Sequence, residues 1–231
     1  MRRLPLLLLV LTALVPGSLR AQTEDTRPGI AVFPFTNGGS YGTAKMDLDL
    51  LSVGIQQTLL TELKENSALR IIERSRMREV LAEQDLAASG RVDAETAAKV
   101  GKALGARYAI TGVFIDLNGN FRMDGRIVDV ETTEILKTAQ VQDRFENLYT
   151  MLFDLAGKIT DDVDLPPLPQ QVREQRRERE IPAEALALYA RGLDLQDSGR
   201  KDQAVEIYRQ ITDRFPEMTE ASEALRQLTS G

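Results

Sequence analysis

The sequence predicts an α/β fold, a mixed sheet with helices packed on it, followed by a small all-α helical-hairpin region at the C-terminus. In the first part of the chain, short apolar runs typical of strands alternate with stretches of helical periodicity. A proline-rich, charged stretch then breaks this pattern, and only amphipathic helices follow it. We therefore predict a signal peptide (1–21), an α/β domain (28–165), a charged linker (166–181) and a helical repeat region (182–231).

The first 21 residues have the organisation of an export signal. Arg2 and Arg3 stand before an apolar run over residues 4–15, and Ala21 ends the segment with a small side chain. This order is typical of a secretory signal peptide, here cleaved after Ala21. The apolar run is shorter than the roughly 20 residues that a membrane-spanning helix needs, and no later run approaches that length. The sequence thus predicts an exported protein without a stable membrane span.

Composition excludes several classes of function. Without the three arginines of residues 1–21, the 29 basic residues fall to 26 against 35 acidic ones, a formal charge of −9. An acidic surface repels phosphate backbones, which argues against nucleic acid as a partner. The chain has no Cys and no His, so thiolate nucleophiles, thiolate zinc sites and imidazole-based triads are excluded. We predict a protein that is not an enzyme and has no cofactor; catalysis by carboxylates alone is the alternative.

The α/β domain begins with two strands separated by a helix. Residues 29–35 (GIAVFPF) form a continuous apolar run, typical of a strand that is buried on both faces. A glycine-rich loop follows, and apolar residues three and four apart predict a helix over residues 44–66. Residues 68–73 (ALRIIE) are predicted as the second strand.

The stretch RIIERSRMREVLAEQ (residues 70–84) is predicted to join that strand to a helix. Ser75 is a candidate N-cap, and Met77, Val80 and Leu81 form the apolar stripe of the helix. Three arginines of this stretch, Arg74, Arg76 and Arg78, are then expected on or beside the solvated side of the helix. The alternative interpretation is a basic contact patch for an acidic protein.

A helix and a three-stranded meander are predicted next. Asp93 is a candidate N-cap for a small-residue helix that Gly105 closes. Strands are expected over residues 106–117, 121–130 and 135–143, joined by a tight hairpin at residues 118–120 and a turn at residues 131–134. A final amphipathic helix is predicted over residues 145–163.

Two sequence patterns could indicate ligand sites. In NGGSYGTAK (residues 37–45), Thr43 stands where a phosphate-binding loop requires its second glycine and Ala44 replaces the lysine, so a plain loop is favoured. The aspartates that could be imagined as calcium ligands lack a glycine-centred loop and a distal Glu, so solvated surface is favoured; they are Asp47, Asp49, Asp161, Asp162 and Asp164.

The C-terminal region resembles one tetratricopeptide (TPR-like) repeat followed by a capping helix. The residues that carry the resemblance have spacings of 12, 4 and 8 and are structural in that pattern: Gly192, Ala204, Tyr208 and Pro216. A large residue at Ala204 is expected to overpack the helix pair, at a cost of about 1–3 kcal/mol. Because a lone repeat cannot bury both of its apolar faces, it must dock on the α/β domain, on a second copy or on a partner.

The same repeat pattern gives the candidate partner-binding residues. The positions that face the groove of such a repeat are Tyr189, Leu193 and Gln196. For Tyr189 and Leu193, packing against a neighbouring helix is the alternative role.

Four segments in series resemble the curli-secretion-channel (CsgG-type) domain family over residues 28–165. They are IAVFPF, IIERSRMREVLAEQ, AAKVGKALGARYAITGVF and RIVDVETTEIL. The resemblance implies a compact α/β domain that binds other proteins, in some members as a ring. It also implies a periplasmic or outer-membrane-associated protein without catalysis.

The chain departs from that family in three respects. It has no Cys that could carry a lipid, and the turns at residues 118–120 and 131–134 leave no room for the long membrane-inserting hairpins of the secretion channels. Thr133 stands where the family turn usually has glycine, so we expect a turn without a left-handed residue there.

The sequence therefore predicts an exported, non-enzymatic envelope protein, a CsgG-like protein-binding module associated with assembly or secretion. Its partners are expected to be envelope proteins, with homo-oligomers as a further expectation. One alternative is a contact activator of an envelope enzyme. The other is an outer-membrane export component that forms an oligomeric ring or pore.

Overall fold

The computed structural model describes residues 25–39, 45–83, 92–162 and 167–230, and only the backbone at residues 45–47 and 162. The predicted signal peptide (residues 1–21), Thr43 and Ala44 of the glycine-rich loop, and Asp164 lie outside the described residues.

The element order confirms the predicted α/β fold class. The strands are β1 (Gly29–Val32), β2 (Thr36–Asn37), β3 (Arg70–Ile71), β4 (Tyr108–Leu117), β5 (Asn120–Asp129) and β6 (Ile135–Arg144). The helices are α1 (Lys45–Lys64), α2 (Arg74–Glu83), α3 (Ala94–Ala103), α4 (Leu148–Asp162), α5 (Gln170–Arg177), α6 (Ala183–Asp197), α7 (Lys201–Arg214) and α8 (Thr219–Thr229). A 3-10 turn at Phe145–Asn147 leads into α4.

The strands form one mixed sheet in the order β3-β1-β4-β5-β6, with β2 also paired to β4. β1 is parallel to β3 and β4, whereas β4, β5 and β6 form an antiparallel meander. Ile30 and Val32 belong to a core shared with α1 and α4, and Ala31 and Phe33 belong to a second core shared with α2 and α3. Burial on both faces explains the unbroken apolar run of β1.

The first strand is shorter than the predicted residues 29–35. The backbone N–H of Phe33 donates to the Ile110 carbonyl (2.8 Å), but Pro34 has no N–H with which to continue the ladder. Pairing resumes at β2, two residues further on. Phe35 lies between the two strands and is fully buried.

The second strand and the start of α2 also differ from the prediction. Strand pairing covers only β3, rather than residues 68–73. Before β3, the guanidinium of Arg27 donates to the carbonyls of Ser67 (3.2 Å) and Leu69 (3.1 Å). Helix α2 already begins at Arg74, so Ser75 lies in its first turn and is not the N-cap.

The predicted ends of α3 agree with the structure. The Asp93 carboxylate accepts a hydrogen bond from the backbone N–H of Thr96 (2.8 Å), which caps the helix and lowers the pKa of Asp93. Gly105 adopts a left-handed φ of +67°, and the N–H of Ala106 donates to the Gly101 carbonyl (2.8 Å). This is a glycine-terminated helix end.

The β5–β6 turn corrects one expectation. Thr133 has a left-handed φ of +66°, although the sequence predicts a turn without a left-handed residue there. The Asp129 carboxylate accepts from the backbone N–H groups of Glu131 (2.8 Å) and Thr132 (3.0 Å), and the Thr133 N–H donates to the Asp129 carbonyl (2.8 Å). These bonds hold a β-branched residue in a conformation that it rarely adopts.

Replacing Thr133 with glycine is therefore expected to stabilise the protein by about 0.5–1 kcal/mol. Relief of the left-handed conformation, about 1–2 kcal/mol, exceeds the entropic cost of a glycine, about 0.5–1 kcal/mol. Urea unfolding of both proteins measures the difference. The matched control is Asn118→Gly in the β4–β5 turn, where φ is +57°. Since asparagine tolerates this region, the gain there is smaller; a Thr133 variant no more stable than the parent contradicts the prediction.

The C-terminal helices dock on the α/β part, the first of the three predicted options. α6 packs along α1, α7 packs against α6, and α8 packs against α7. A Cβ added at Gly54 would lie 2.7 Å from the Ala190 Cβ, so the missing side chain lets α1 and α6 approach closely. The apolar residues of both parts form one continuous core. None of the helices in the described part of the chain has the length and apolar character to cross a membrane.

Candidate functional site

A groove of about 450 Å³ lies between α1, α6 and α8 and is the candidate functional site. We call it the α1–α6–α8 groove. Its apolar lining comes from Leu60 on α1, Ile71 on β3, Tyr189 and Leu193 on α6 and Ala224 on α8. The polar lining includes amide, hydroxyl and charged side chains from the same helices, the start of α2 and α5.

The structure brings the three predicted partner-binding residues together in this groove. Tyr189, Leu193 and Gln196 lie at successive turns of α6, and all three line it. Tyr189 and Leu193 are each only 3% exposed and also belong to the main core, so they have the packing role that the sequence left open. Gln196 is half-buried, and its Oε1 accepts from the Tyr208 hydroxyl (3.0 Å).

The predicted structural residues lie at the α6–α7 contact. Ala204 and Tyr208 are fully buried, and a Cβ added at Gly192 would come closer than 3.0 Å to the Tyr208 ring. Pro216 follows the end of α7. The small residue at Gly192 therefore makes room for a ring from the opposite helix.

Replacing Gly192 with alanine is expected to lower the free energy of unfolding by about 1–3 kcal/mol, because the added methyl group must displace the buried Tyr208 ring. Thermal unfolding followed by circular dichroism measures the change. Gly157→Ala in α4 is the matched control, since a Cβ there meets no atom within 4 Å. That control is expected to stabilise the protein by about 0.5–1 kcal/mol. Equal melting temperatures for the Gly192 variant and the parent protein contradict the packing role.

Arg74 corrects the prediction that the arginines of α2 lie on or beside the solvated side. It is buried, its guanidinium forms an ion pair with Asp197 at the end of α6, and its Nε donates to Gln57 Oε1 (3.2 Å). Arg78 donates to the same carboxylate (2.6 Å). Two of the three arginines of the hypothetical basic patch are thus paired within the protein, and only Arg76 is exposed without such a pair in the part of the chain that the structure describes.

The charged segment predicted as a linker also contributes buried groups. Arg176 of α5 donates to Glu62 Oε1 on α1 (3.1 Å) and forms an ion pair with Glu65. Arg179 donates through both terminal nitrogens to the Glu220 carboxylate of α8 (3.0 and 2.8 Å). These pairs connect the segment to both parts of the fold at one edge of the groove.

Tyr149 of α4 joins the two ion pairs into one network. Its hydroxyl donates to Glu62 Oε1 (3.1 Å) and accepts from Arg179 (3.0 Å), whose guanidinium lies 5.1 Å from the ring centroid. Burial and the nearby Glu62 raise the pKa of Tyr149. Burial also raises the pKa of Glu62, against the effect of Arg176. We call Glu62, Tyr149, Arg176, Arg179 and Glu220 the buried polar network.

The aspartates considered as calcium ligands do not form a site in the described residues. Asp49 is exposed and accepts from Asn37 Nδ2 (2.7 Å), and Asp161 is exposed at the end of α4. The side chains of Asp47, Asp162 and Asp164 lie outside the described residues. Within the described ranges, no three acidic side chains are grouped so that they could hold a metal ion.

Only one wall of the groove, the α6 side, is predictable from the sequence. The repeat spacing identifies the α6 side, but nothing in the sequence pairs α6 with Gln57 and Leu60 of α1 or with Arg74 of α2. Arg74 and Asp197 are 123 residues apart, so their contact depends on the docking of α6.

Comparison with known proteins finds a family match over part of the chain. A family model described as "Curli production assembly/transport component CsgG" matches residues 17–126. A search of curated proteins finds no match.

Several solved structures are similar to the chain at low identity. The LpoB C-terminal domain from Escherichia coli is 14% identical over 51% of this chain and 82% of that chain, with a TM-score of 0.38. Lipoprotein GNA1162 from Neisseria meningitidis is 16% identical over 50% and 79%, with a TM-score of 0.39. A PelC dodecamer from Paraburkholderia phytofirmans is 12% identical over 60% and 89%, with a TM-score of 0.35.

The family match ends within β5, so it includes α1, α2 and α3 but not the C-terminal helices. Residues 17–126 of this chain thus match the CsgG family, and the groove lies between this matched part and the helices α6 and α8 that follow it.

Proposed function

We propose that this protein is an exported, non-enzymatic protein of the cell envelope, a CsgG-type module associated with assembly or secretion that binds a partner protein in the α1–α6–α8 groove. The CsgG match and the signal-peptide pattern support the envelope location. The TPR-like spacing of the C-terminal helices supports a role in protein binding.

One observation carries the proposal. Three residues selected from the sequence as groove-facing, Tyr189, Leu193 and Gln196, line one concave surface together with α1 and α8. A concave surface with an apolar floor and a few placed polar groups is the usual form of a binding site.

The chemistry of the groove favours contact over catalysis. The chain contains no imidazole and no thiol. Arg74, Arg176 and Glu220 are held in ion pairs within the protein. The remaining amides and hydroxyls are suited to hydrogen bonding with a partner rather than to acid–base chemistry at neutral pH.

Site-specific photo-crosslinking in cells tests the proposal. A photoreactive amino acid replaces Gln227, an exposed residue that lines the groove on α8. The matched control carries it at Lys99, which is exposed on α3 at the opposite face of the sheet. We expect a discrete adduct with an envelope protein from position 227 only. Equal adducts from both positions, or none from position 227, would overturn the proposal.

A further inference from the structure

We propose that the α1–α6–α8 groove recognises an uncharged, extended peptide segment of its partner, whose backbone carbonyl oxygens accept hydrogen bonds from Tyr189, Gln57 and Gln196. This inference rests on the proposed function and names the chemistry of the partner. It comes from the hydrogen-bonding capacity that the groove leaves unused.

The hydroxyl of Tyr189 is the first unused group. Its side chain is nearly fully buried, yet within the described ranges the hydroxyl makes no hydrogen bond, and the residue lines the groove. The ring contacts that of Tyr208 at a centroid distance of 5.9 Å. Burial raises the pKa of Tyr189, and the nearby Tyr208 and Glu220 add to the effect, so the hydroxyl keeps its proton and can donate. The hydroxyl oxygen itself is not fully buried, so an acceptor bound in the groove can reach it.

The side-chain amide of Gln57 is the second group with an unused hydrogen-bond donor. Its Oε1 accepts from the Nε–H of Arg74 (3.2 Å). Because the guanidinium can only donate, this contact fixes the orientation of the amide. The Gln57 NH₂ group makes no hydrogen bond elsewhere in the described chain, so it is left as a donor in the groove lining.

Gln196 repeats the arrangement on α6. Its Oε1 accepts from the Tyr208 hydroxyl (3.0 Å), and its NH₂ group has no hydrogen-bond partner among the residues that the structure describes. Tyr189, Gln57 and Gln196 therefore all present donors, from two facing helices. A ligand that satisfies them must present acceptors.

Charge excludes an anion as the preferred source of those acceptors. The cationic side chains that line the groove are Lys64, Arg74 and Arg176, and the anionic ones are Glu65, Glu73, Glu220 and Glu223. Arg74 and Arg176 are already in ion pairs with carboxylates of the protein. Because the positive and negative charges of the lining nearly cancel, neutral carbonyl oxygens complement the groove better than carboxylates or phosphates do.

An extended segment is the form of protein that offers such oxygens. The interior of a helix uses its carbonyls internally, whereas an extended chain leaves them open along its length. The apolar lining of Leu60, Leu193 and Ala224 between the donors suits a small aliphatic side chain of the same segment.

The test uses a neutral probe, the capped pentapeptide acetyl-Ala-Val-Ala-Val-Ala-amide, titrated into the ¹⁵N-labelled protein and followed by NMR. We expect shifts in the amides of the groove-lining residues. Tyr189→Phe is expected to weaken binding about three- to tenfold, as the loss of one hydrogen bond does. Gln57→Glu keeps the acceptor for Arg74 but replaces the NH₂ donor with an oxygen, and it is expected to weaken binding about tenfold or more.

Two controls separate a loss of binding from a loss of stability and a neutral ligand from a charged one. Tyr189→Phe should leave the melting temperature unchanged because its hydroxyl has no partner to lose, whereas Tyr208→Phe should lower it by removing the bond to Gln196. Probes with Asp or Lys in place of the central Ala should bind no more tightly than the neutral one. Three results would overturn the inference: no shifts in the groove-lining amides, an affinity in both groove variants equal to that of the parent protein, or tighter binding of a charged probe. A position-227 adduct in cells alongside such a result leaves the proposed function intact.

Discussion

Replacing Arg179 with alanine is expected to lower the free energy of unfolding by about 3–5 kcal/mol, the usual cost of removing one partner from a buried ion pair. The Arg179 side chain is only 13% exposed, and it provides both short hydrogen bonds to the Glu220 carboxylate. Without it, Arg176 is the remaining cation paired with Glu220 among the residues that the structure describes, at 3.7 Å. The buried carboxylate would lose most of its compensation. Urea unfolding at neutral pH measures the effect.

Arg177 provides the matched control for this experiment. It is two residues away in the same segment, but its side chain is 71% exposed and its contact with Asp154 is 3.5 Å long. Arg177→Ala is expected to change stability by less than about 0.5 kcal/mol. In the Arg179→Ala background, Glu220→Ala should recover part of the loss, because it removes the uncompensated charge. Similar losses for Arg177→Ala and Arg179→Ala would show that the buried polar network does not determine stability.

This contrast marks what the sequence could and could not predict about the charged segment. Four arginines and three glutamates within residues 166–181 have the composition of a solvated linker. Which arginines are buried depends on groups far away along the chain: Glu62 is 114 residues from Arg176, and Glu220 is 41 residues from Arg179. The composition of the segment does not indicate which of its arginines will pair with residues so far away in the sequence.

The sequence predicts the fold more completely than it predicts the candidate functional site. The buried run of β1, the Asp93 cap and the hairpin at Asn118 are local features, so each follows from residue types close together. Thr133 shows the limit, because its left-handed conformation is imposed by bonds to Asp129 rather than by its own preference. The groove shows a stronger limit, since the repeat spacing identifies Tyr189 but not Gln57 on the facing helix.

At Phe35, the local sequence pattern predicts a strand and gives no indication of the tertiary contact that the side chain makes. The run of residues 29–35 looks like a single strand, but Pro34 interrupts the pairing and Phe35 turns onto the sheet. Its fully buried ring lies over Gly112 of β4, where any Cβ would come closer than 3.0 Å to three ring atoms. The Phe35 ring therefore packs directly against the backbone of Gly112, where a larger residue would clash with it.

Replacing Gly112 with alanine is accordingly expected to lower the free energy of unfolding by about 3 kcal/mol, at the upper end of overpacking costs, because both the ring and the strand are buried and have little room to move. Gly125 is the matched control. It lies opposite Gly112 on β5, but a Cβ there would meet the flexible end of Leu155 at 3.3 Å and the Phe35 ring only at 3.7 Å. Gly125→Ala is expected to cost less than about 1 kcal/mol.

A double-mutant cycle identifies the ring as the cause of the loss. Phe35→Leu removes the atoms that the new methyl group would meet, so the combined variant should be more stable than the sum of the two single changes predicts, by about 1 kcal/mol or more. Unfolding curves of the four proteins give this coupling directly. Simple additivity would mean that Gly112 is constrained by its own backbone and not by Phe35. A positive coupling would show that contact between the new methyl group and the Phe35 ring causes the loss, and that the ring packs where a side chain at position 112 would otherwise lie.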